Sequence, residues 1–323
     1  RLSAHDNASG PSLFGHFAVS SARSGGDYGL RDVYVGHSES FNNTGSGISN
    51  MGTGMAFMNV ENLVIEHNKV HDNGGDNLPP KEYPNGPSGI LVYDGRKVTV
   101  QHNESYHQHR DPDGPTDNGG IDLWALDSVV QYNYVHDNEG WGMILGAGDP
   151  DDPDDPFPWP SERNVIRYNI FQNNGRRLPQ SSIPEQNDAE LFPFGPVKDF
   201  EIYNNTFYAR NPGGPLPPNA ETQALITIMA VPPARAPEGL RFRNNIFIAE
   251  KQVRLIELPT LSDVSFINNA YIGGAPSQLV TWGMGNYFDS IEAWSRATGQ
   301  EQTPEAAAFK LADFSALCAP ALH

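Results

Sequence analysis

The chain has 323 residues, of which 38% are hydrophobic and 10% aromatic, and it contains 32 glycines and 27 prolines. This mixture is too rich in aromatic residues for a disordered chain, and it suits many short strands joined by turns. The net charge of −18 excludes nucleic acid and anionic membranes as expected partners, and it disfavours a polyanionic polysaccharide unless cations or a basic cleft compensate. No apolar run reaches the roughly 18 residues that would span a membrane.

One pattern recurs along almost the whole chain: alternating apolar residues, then an asparagine, another apolar residue and a polar cluster. Two degenerate copies come first and seven clearer ones follow, at 2–7, 33–43, 63–73, 98–106, 129–138, 165–174, 200–207, 240–247 and 264–271. The alternation has a period of two residues, which predicts strands, and each interval holds about three short strands with their turns. The sequence therefore predicts an all-β fold, a parallel β-helix solenoid of about eight or nine rungs.

The recurring asparagine has a physical reason in such a fold. A tight bend between two strands needs a residue that tolerates the left-handed backbone conformation, and asparagine does so while it hydrogen-bonds the nearby backbone. Equivalent rungs stack about 4.8 Å apart, so asparagine side chains can also bond to one another along the stack. We therefore expect the asparagines to occupy the left-handed bends and to form a ladder.

A second family of strands lies between the asparagine anchors, at 47–49, 89–94, 120–124, 142–145 and 190–192. If Ile90 and its equivalents on the next two rungs point inward, alternation places Tyr93, Asp122 and Trp124 on the outer surface. The sequence thus predicts a solvent-facing surface on which a carboxylate stands beside two aromatic rings.

The repeat stops before the C-terminus. Residues 290–299 are typical of a short helix, with Ser290 as the N-cap and Gly299 as the stop, and a solenoid needs such a cover over its open end. The predicted domains are a β-helix at 1–285 and a C-terminal cap and tail at 286–323. Because residues 1–7 have the pattern of the end of a rung, the solenoid is expected to continue upstream of Arg1.

Four segments beyond the asparagine rungs carry a resemblance to a known family, at 88–90 (Ser-Gly-Ile), 117–123 (Asp-Asn-Gly-Gly-Ile-Asp-Leu), 128–138 and 292–300. They resemble the secreted right-handed parallel β-helix proteins of bacteria, the pectate-lyase-like solenoids, many of which are carbohydrate-active. The resemblance implies a right-handed solenoid that acts on glycans outside the cell. The chain lacks the paired aspartates and Gly-His-Gly of polygalacturonase-type hydrolases. It also lacks the Glu-x-Glu calcium pattern and Lys/Arg pair of alginate-type lyases.

Long interruptions of the middle rungs could wall a cleft around the predicted outer surface, at 74–88, 108–119, 147–163 and 176–189. Glycoside hydrolysis in such a cleft needs two carboxyl groups, one protonated and one ionised. Asp122 is the best single catalytic candidate because it lies on a strand beside an aromatic ring. Asp94 and Glu190 are its candidate partners, and Asp117 and Glu139 are alternatives in loops. An ordinary surface carboxylate is the competing interpretation for each.

Aromatic side chains near the same surface are candidates for binding sugar. Trp124, Tyr93, Trp141 and Tyr83 offer flat faces on which sugar rings stack, although packing between rungs would explain each of them equally well.

A compact cationic group, His107, His109 and Arg110, indicates a different chemistry. Joined by Lys81 from the preceding loop, these side chains could supply a base and neutralise a uronate carboxylate, as in a polysaccharide lyase. A turn of solvated polar residues is the competing interpretation.

Two acidic or histidine-containing patterns invite a metal assignment. The His-Asp-Asn triplets at 5–7, 71–73 and 136–138 recur with the repeat, so they are predicted to be turn elements rather than metal ligands. The run at 149–155 clusters oxygen ligands of the kind that calcium prefers, but its two prolines and lack of glycine favour a solvated loop. No cofactor is therefore expected to be required, and calcium is the one ion that the sequence leaves open.

Three functions follow in order of preference. The first is a secreted or cell-surface glycoside hydrolase that acts on a polysaccharide or oligosaccharide, with Asp122 and a second carboxylate as acid and base. The second is a polysaccharide lyase or epimerase that uses the cationic group. The third is a non-catalytic glycan-binding or tailspike-like solenoid, which would often be a trimer, whereas a monomer is expected for the enzymes.

Overall fold

The computed structural model describes residues 3–5, 12–14, 28–43, 53–74, 88–109, 119–148, 159–175, 189–210, 224–230, 236–250, 253–260, 263–274 and 277–301. The strands, in chain order, are β1 Ser3–His5, β2 Ser12–Phe14, β3 Leu30–Gly36, β4 Glu39–Phe41, β5 Met55–Glu66, β6 Lys69–His71, β7 Ile90–Gln101, β8 Glu104–Tyr106, β9 Ile121–Leu126, β10 Val129–Gln131, β11 Tyr134–His136, β12 Met143–Gly146, β13 Val165–Arg167, β14 Ile170–Gln172, β15 Ala189–Phe194, β16 Lys198–Tyr203, β17 Thr206–Ala209, β18 Ala224–Thr227, β19 Glu238–Arg243, β20 Ile246–Ala249, β21 Arg254–Leu258, β22 Val264–Ile267, β23 Ala270–Gly273, β24 Val280–Trp282 and β25 Tyr287–Phe288. They are followed by one helix, α1 Ile291–Thr298. Within these described residues, no helix is long and apolar enough to cross a membrane.

The strands form a solenoid with three faces, and consecutive rungs pair in parallel. Face one contains β2, the first parts of β5 and β7, then β9, β12, β15, β18, β21 and β24. Face two contains β3, the second parts of β5 and β7, then β10, β13, β16, β19 and β22. Face three stacks β1, β4, β6, β8, β11, β14, β17, β20 and β23, which makes nine rungs and confirms the predicted number. Only the β24–β25 pair is antiparallel among the described strand pairs.

Inward side chains of successive rungs stack into one apolar core. On face one, Ile90, Ile121 and Met143 are fully buried, as their predicted inward orientation requires. On face three, the ring of Phe207 stacks between those of Phe171 and Phe247, with 5.2 Å between ring centroids on each side. Burial of such a side chain stabilises the fold by roughly 1.5–3 kcal/mol, so the core is the main source of stability.

The predicted asparagine ladder is confirmed at the corner between faces two and three, and its members are Asn68, Asn103, Asn133, Asn169, Asn205, Asn245 and Asn269. At each step, the backbone N–H and the Nδ2 amide of one asparagine donate to Oδ1 of the next, at 2.9–3.1 Å. Nδ2 also donates to a backbone carbonyl of the preceding rung, as Asn169 does to Val130 at 2.9 Å. Each buried amide is thereby satisfied by its neighbours in the stack.

The prediction that these asparagines adopt the left-handed conformation is wrong. The residue before each of them has the positive φ, for example 54° at His67 and 55° at Tyr168. The ladder asparagine itself has to turn its side chain inward to reach the next rung, whereas the residue at the bend turns outward. The left-handed position is therefore held by histidine and tyrosine as well as by asparagine.

A second ladder runs along the corner between faces three and one. Asn138 donates to Asn174 from both its backbone N–H and Nδ2, at 3.2 and 2.7 Å. This ladder explains the glycine that precedes the face-one strands. A Cβ atom at Gly120 would lie 2.8 Å from Nδ2 of Asn138, and one at Gly142 would lie 2.8 Å from Nδ2 of Asn174.

The C-terminal helix closes the stack as predicted. The Ser290 hydroxyl accepts from the Ala293 N–H at 3.3 Å, and Gly299 ends the helix with a φ of 77°. Trp294 is fully buried against Phe266 of the last face-two strand. Just beyond the helix, Glu301 accepts both donors of Asn269, at 2.6 and 3.1 Å, and so ends the first ladder.

We predict that Asn169→Ala lowers the stability of the solenoid by about 3 kcal/mol, because two buried donors of Asn133 lose their acceptor. Thermal unfolding followed by circular dichroism would show the drop as a lower Tm. Gln172→Ala, on the outer side of face three in the same rung, is the matched control and should change stability by less than about 0.5 kcal/mol. An equal drop in both variants would argue against the ladder as the cause.

Candidate functional site

Asp122 lies in β9 on the outer side of face one, as alternation predicts. Its side chain is nevertheless only 2% exposed. The Tyr93 hydroxyl donates to Oδ2 at 3.2 Å, and Nε1 of Trp124 donates to Oδ1 at 2.9 Å. The prediction that Asp122 points to the outer side of the strand is therefore confirmed, whereas the prediction that it is exposed to solvent is wrong.

Asp122 is buried beside a cluster of aromatic side chains. We call this cluster the aromatic patch, and its members are Tyr93, Trp124, Trp159 and Phe194. Tyr93 stacks on Trp159 with 5.4 Å between centroids, and Trp124 packs edge-on against both Tyr93 and Phe194. Because the rings pack on one another, Tyr93 and Trp124 are less than 10% exposed. They fix the orientation of Asp122 rather than offering open faces.

Trp141 lies on the rung after Asp122 and is also packed. Its indole stacks on Phe192 with 3.8 Å between centroids, and both belong to a small apolar cluster with Ile144 and Ala189. This cluster continues the aromatic patch along the outer side of face one.

Asp94 does not lie in a cleft with Asp122. It occupies the bend between faces one and two with a φ of 49°, and its Oδ2 accepts from Nδ2 of Asn59 at 2.7 Å. Asn59 has the same left-handed conformation on the preceding rung and accepts from the Gly29 N–H. The interactions of Asp94 are thus those of a corner residue.

Glu190 is fully buried and points into the solenoid, not toward the outer side of face one. It takes the place that glycine holds on earlier rungs, and its two carboxylate oxygens accept the backbone N–H and Nδ2 of Asn174. Burial raises its pKa well above the usual value, against the opposing effect of the hydrogen bonds from Asn174. The second ladder therefore ends on Glu190, just as the first ends on Glu301.

His107 and His109 lie at the corner between faces three and one, where they meet two carboxylates. We call the group Asp72, His107, His109 and Glu139 the acid–base corner. Nδ1 of His109 lies 3.3 Å from Glu139 Oε1, and its Nε2 lies 3.5 Å from Asp72 Oδ1. Nδ1 of His107 lies 3.6 Å from the same Asp72 oxygen. Lys81, Tyr83 and Arg110 lie outside the described residues, as do Asp117 and the acidic run at 149–155.

The two carboxylates of the acid–base corner lie on opposite sides of the His109 ring. Glycoside hydrolysis requires a pair of carboxyl groups at one site, and these two flank a single imidazole. The ring also carries a proton more readily than usual. The hydrogen bond to Glu139 is the main reason that the pKa of His109 is raised, with a smaller contribution from Asp72 and an opposing one from burial.

A stacked column of rings on face three supports this corner. His71 stacks on Tyr106, and Tyr106 stacks on His136, with 4.7 and 5.0 Å between centroids. Nδ1 of His71 bonds to Asp72 Oδ2 at 2.6 Å, and His136 bonds to Asp137 in the same way at 2.9 Å. In these two triplets the histidine belongs to the column, the aspartate to the bend and the asparagine to the second ladder. Across the described part of the chain, no group of three His, Cys, Asp or Glu side chains could hold a metal ion.

Asp72 was not among the residues that the sequence patterns singled out, and Glu139 came below Asp122. The pairing of residues between adjacent rungs is the feature that would have identified both. His109 pairs with Gly74 in the adjacent rung, and Glu139 donates its backbone N–H to the Gln108 carbonyl. These positions follow the spacing of the first ladder, so counting forward from each asparagine anchor would have brought residues 72, 109 and 139 to one corner.

Parallel stacking, two side-chain ladders and a terminal cap define this chain as a parallel β-helix solenoid. The family model of the right-handed β-helix region matches residues 31–288, and the chain belongs to this family. The domain is shared by pectate lyases, glycoside hydrolases and binding proteins, so the family does not select among these activities. None of the curated proteins compared with the chain matches it.

We predict that Glu190→Gln stabilises the protein at neutral pH, because a glutamine oxygen can accept both Asn174 donors without a buried charge. Glu190 has a raised pKa in the folded state, so its favourable contribution is present below its unfolded pKa and is lost as the pH rises through its folded pKa. The difference in Tm between variant and wild type should thus grow with pH and vanish in acid.

Glu190→Ala is the control for this experiment, because it removes the acceptor and should destabilise the protein by about 2 kcal/mol in acid, with a difference that shrinks as the pH rises. A lower Tm of Glu190→Gln at neutral pH would show that the ladder needs a carboxylate charge.

We predict that His109 titrates above the usual range for histidine and that Glu139→Gln brings its pKa back down. Asp72→Asn should lower the pKa less, because Asp72 contributes less than Glu139 to the raised value. Two-dimensional NMR of imidazole-labelled protein would measure the three titrations. A larger effect of Asp72→Asn would contradict the assignment of Glu139 as the main partner.

Proposed function

We propose that the protein is a carbohydrate-active enzyme that hydrolyses a glycosidic bond at the acid–base corner. The observation that carries the proposal is the pair of carboxylates, Asp72 and Glu139, whose oxygens lie 3.5 and 3.3 Å from the two nitrogens of His109. Membership of the β-helix family supports it at the level of the class.

The surroundings of the two carboxylates divide the roles. Asp72 lies within 3.6 Å of imidazole nitrogens of His71, His107 and His109, and we assign it the role of general base. Glu139 shares a hydrogen bond with His109, whose raised pKa keeps a proton at this pair, and we assign Glu139 the role of general acid. In the proposed step, Asp72 takes a proton from water as the water oxygen bonds to the anomeric carbon. The bond from that carbon to the leaving oxygen breaks, and the leaving oxygen receives a proton from Glu139.

Substrate would extend from this corner along the outer side of face one. Trp141 follows Glu139 by two residues and leads directly into the rung beside Asp122. We assign Asp122 a positioning role, because its carboxylate orients Tyr93 and Trp124 rather than facing an open cleft.

Elimination is the second candidate, and the pair of histidines favours it. His107 and His109 both contact Asp72, and either imidazole could remove a proton next to a uronate carboxylate. The strongly acidic surface of the chain weighs against such a polyanionic substrate.

We predict that Asp72→Asn and Glu139→Gln each lower kcat by at least about 100-fold, because each removes one half of the acid–base pair. Turnover would be measured on a panel of neutral and acidic polysaccharides, with reducing ends and the ultraviolet absorbance of unsaturated products recorded together. Glu201→Gln, a carboxylate of face two that pairs with Arg243, is the matched control and should retain full activity.

The two readouts separate the candidate functions. Reducing ends without absorbance support hydrolysis, and absorbance that rises with them would replace it by elimination. Asp122→Asn should raise KM more than it lowers kcat if Asp122 only positions the aromatic patch. Full activity of both corner variants would remove the acid–base corner from the mechanism.

A further inference from the structure

A row of polar side chains stands on the outer side of face one, near the C-terminal end of the solenoid. Thr227, Glu257 and Thr281 follow one another on three consecutive rungs, in the same column as Asp122, Ile144 and Phe192. Arg254 and Gln278 precede Glu257 and Thr281 by three residues each, and Nη2 of Arg254 donates to the Gln278 side chain. We call these five residues the polar row.

The fold does not require polar groups at these positions. Ile144 and Phe192 fill the same column on earlier rungs with apolar side chains. In the polar row, by contrast, Thr227 is fully buried and Thr281 is 5% exposed, yet neither hydroxyl has a hydrogen-bond partner in the described part of the chain. Arg254 is 8% exposed, and its Nε also has no hydrogen-bond partner among the described residues. Each such group costs about 1–3 kcal/mol when it is left unsatisfied, which marks the row as a place built for a ligand.

The charge of the row indicates what that ligand is. Nη1 of Arg254 lies 3.2 Å from Oε1 of Glu257, so the positive charge is already balanced within the row. A second negative charge would have to compete with Glu257 and with a chain of net charge −18. Threonine hydroxyls, guanidinium N–H groups and a carboxylate together offer both donors and acceptors, which suits the hydroxyl groups of an uncharged sugar.

We propose that the polar row is a second saccharide subsite, which takes a neutral sugar unit of the glycan proposed above as substrate. Four rung steps separate Asp122 from Glu257, so the subsite lies roughly 19 Å from Asp122 along the solenoid. The ligand is a linear, neutral glycan of several units that lies parallel to the solenoid axis. Trp141 and Phe192 form the apolar floor between the two ends. This inference rests on the proposed function for the nature of the substrate, but not on the location of the catalytic groups.

The test is the double variant Thr227→Val/Thr281→Val, which removes the two hydroxyl groups and keeps the shape of the side chains. Calorimetric titration of the full chain with neutral gluco-, xylo-, manno- and galacto-oligosaccharides, from disaccharide to hexasaccharide, would measure affinity without any need for turnover. The longest oligosaccharide that wild type binds should bind the variant about tenfold more weakly. Thr206→Val, on the outer side of face three, is the matched control and should bind as wild type does.

Thermal unfolding of the same variants checks that affinity, rather than folding, has changed. The Tm of the double variant should equal or exceed that of wild type, because no hydrogen bond of the described residues is lost. A lower Tm with unchanged affinity would overturn the proposal, since the hydroxyl groups would then serve the fold, for example by holding an internal water molecule. Tighter binding of uronic acid oligomers, or no binding of any neutral oligosaccharide by wild type, would also overturn it. Weaker binding by the variant in a protein without turnover would retain this subsite and reject the hydrolase.

Discussion

A buried amide without a hydrogen-bond partner destabilises a fold by more than most single contacts stabilise it. In this chain, the buried asparagine side chains form hydrogen bonds with one another. In the first ladder, from Asn103 to Asn269, each side chain accepts two hydrogen bonds from one neighbour and donates to the other. The register between rungs is therefore fixed by a chemical match, because a slip of one residue would leave donors and acceptors unpaired at every step. Apolar stacking supplies most of the stability, whereas the ladder determines which residues stack.

The candidate site also depends on the register that the asparagine ladders fix. Asp72, His109 and Glu139 come from three different rungs, and their side chains meet only because the ladders hold those rungs in register. The second ladder runs directly beside them and contains Gln108 where its other rungs have asparagine. Nε2 of Gln108 still donates to the Val70 carbonyl at 2.9 Å, and its backbone N–H still reaches Asn138. The longer side chain thus preserves the corner at the rung that carries both His107 and His109.

The sequence was most informative where one rule acts on every rung. Repetition predicted the solenoid, the ladder and the rung number, and capping rules predicted the helix between Ser290 and Gly299. Alternation gave the orientation of Asp122 but not its burial, because burial depends on rings from other rungs, such as Trp159 and Phe194. Glu190 was misread because a strand start that holds glycine on earlier rungs here holds a carboxylate, and only the ladder beneath it explains that exchange. The acid–base corner required register across three rungs, which spacing contains but local motifs do not reveal.

Both ladders terminate on a glutamate, at Glu190 and at Glu301, and this has a consequence for how such a molecule changes length. Each glutamate accepts both hydrogen bonds of the last asparagine and has no amide N–H in its side chain to donate onward, so the chain of amides ends there. Duplication or deletion of one repeat between Asn68 and Asn269 leaves the two ends chemically intact, whereas an extra repeat added after Glu301 would find no donor to continue from. This solenoid can therefore be lengthened or shortened in whole rungs from within. Insertion or deletion of one rung between Asp122 and the polar row would change the distance between them by about 4.8 Å. The length of the glycan that fits along face one would change by the same amount.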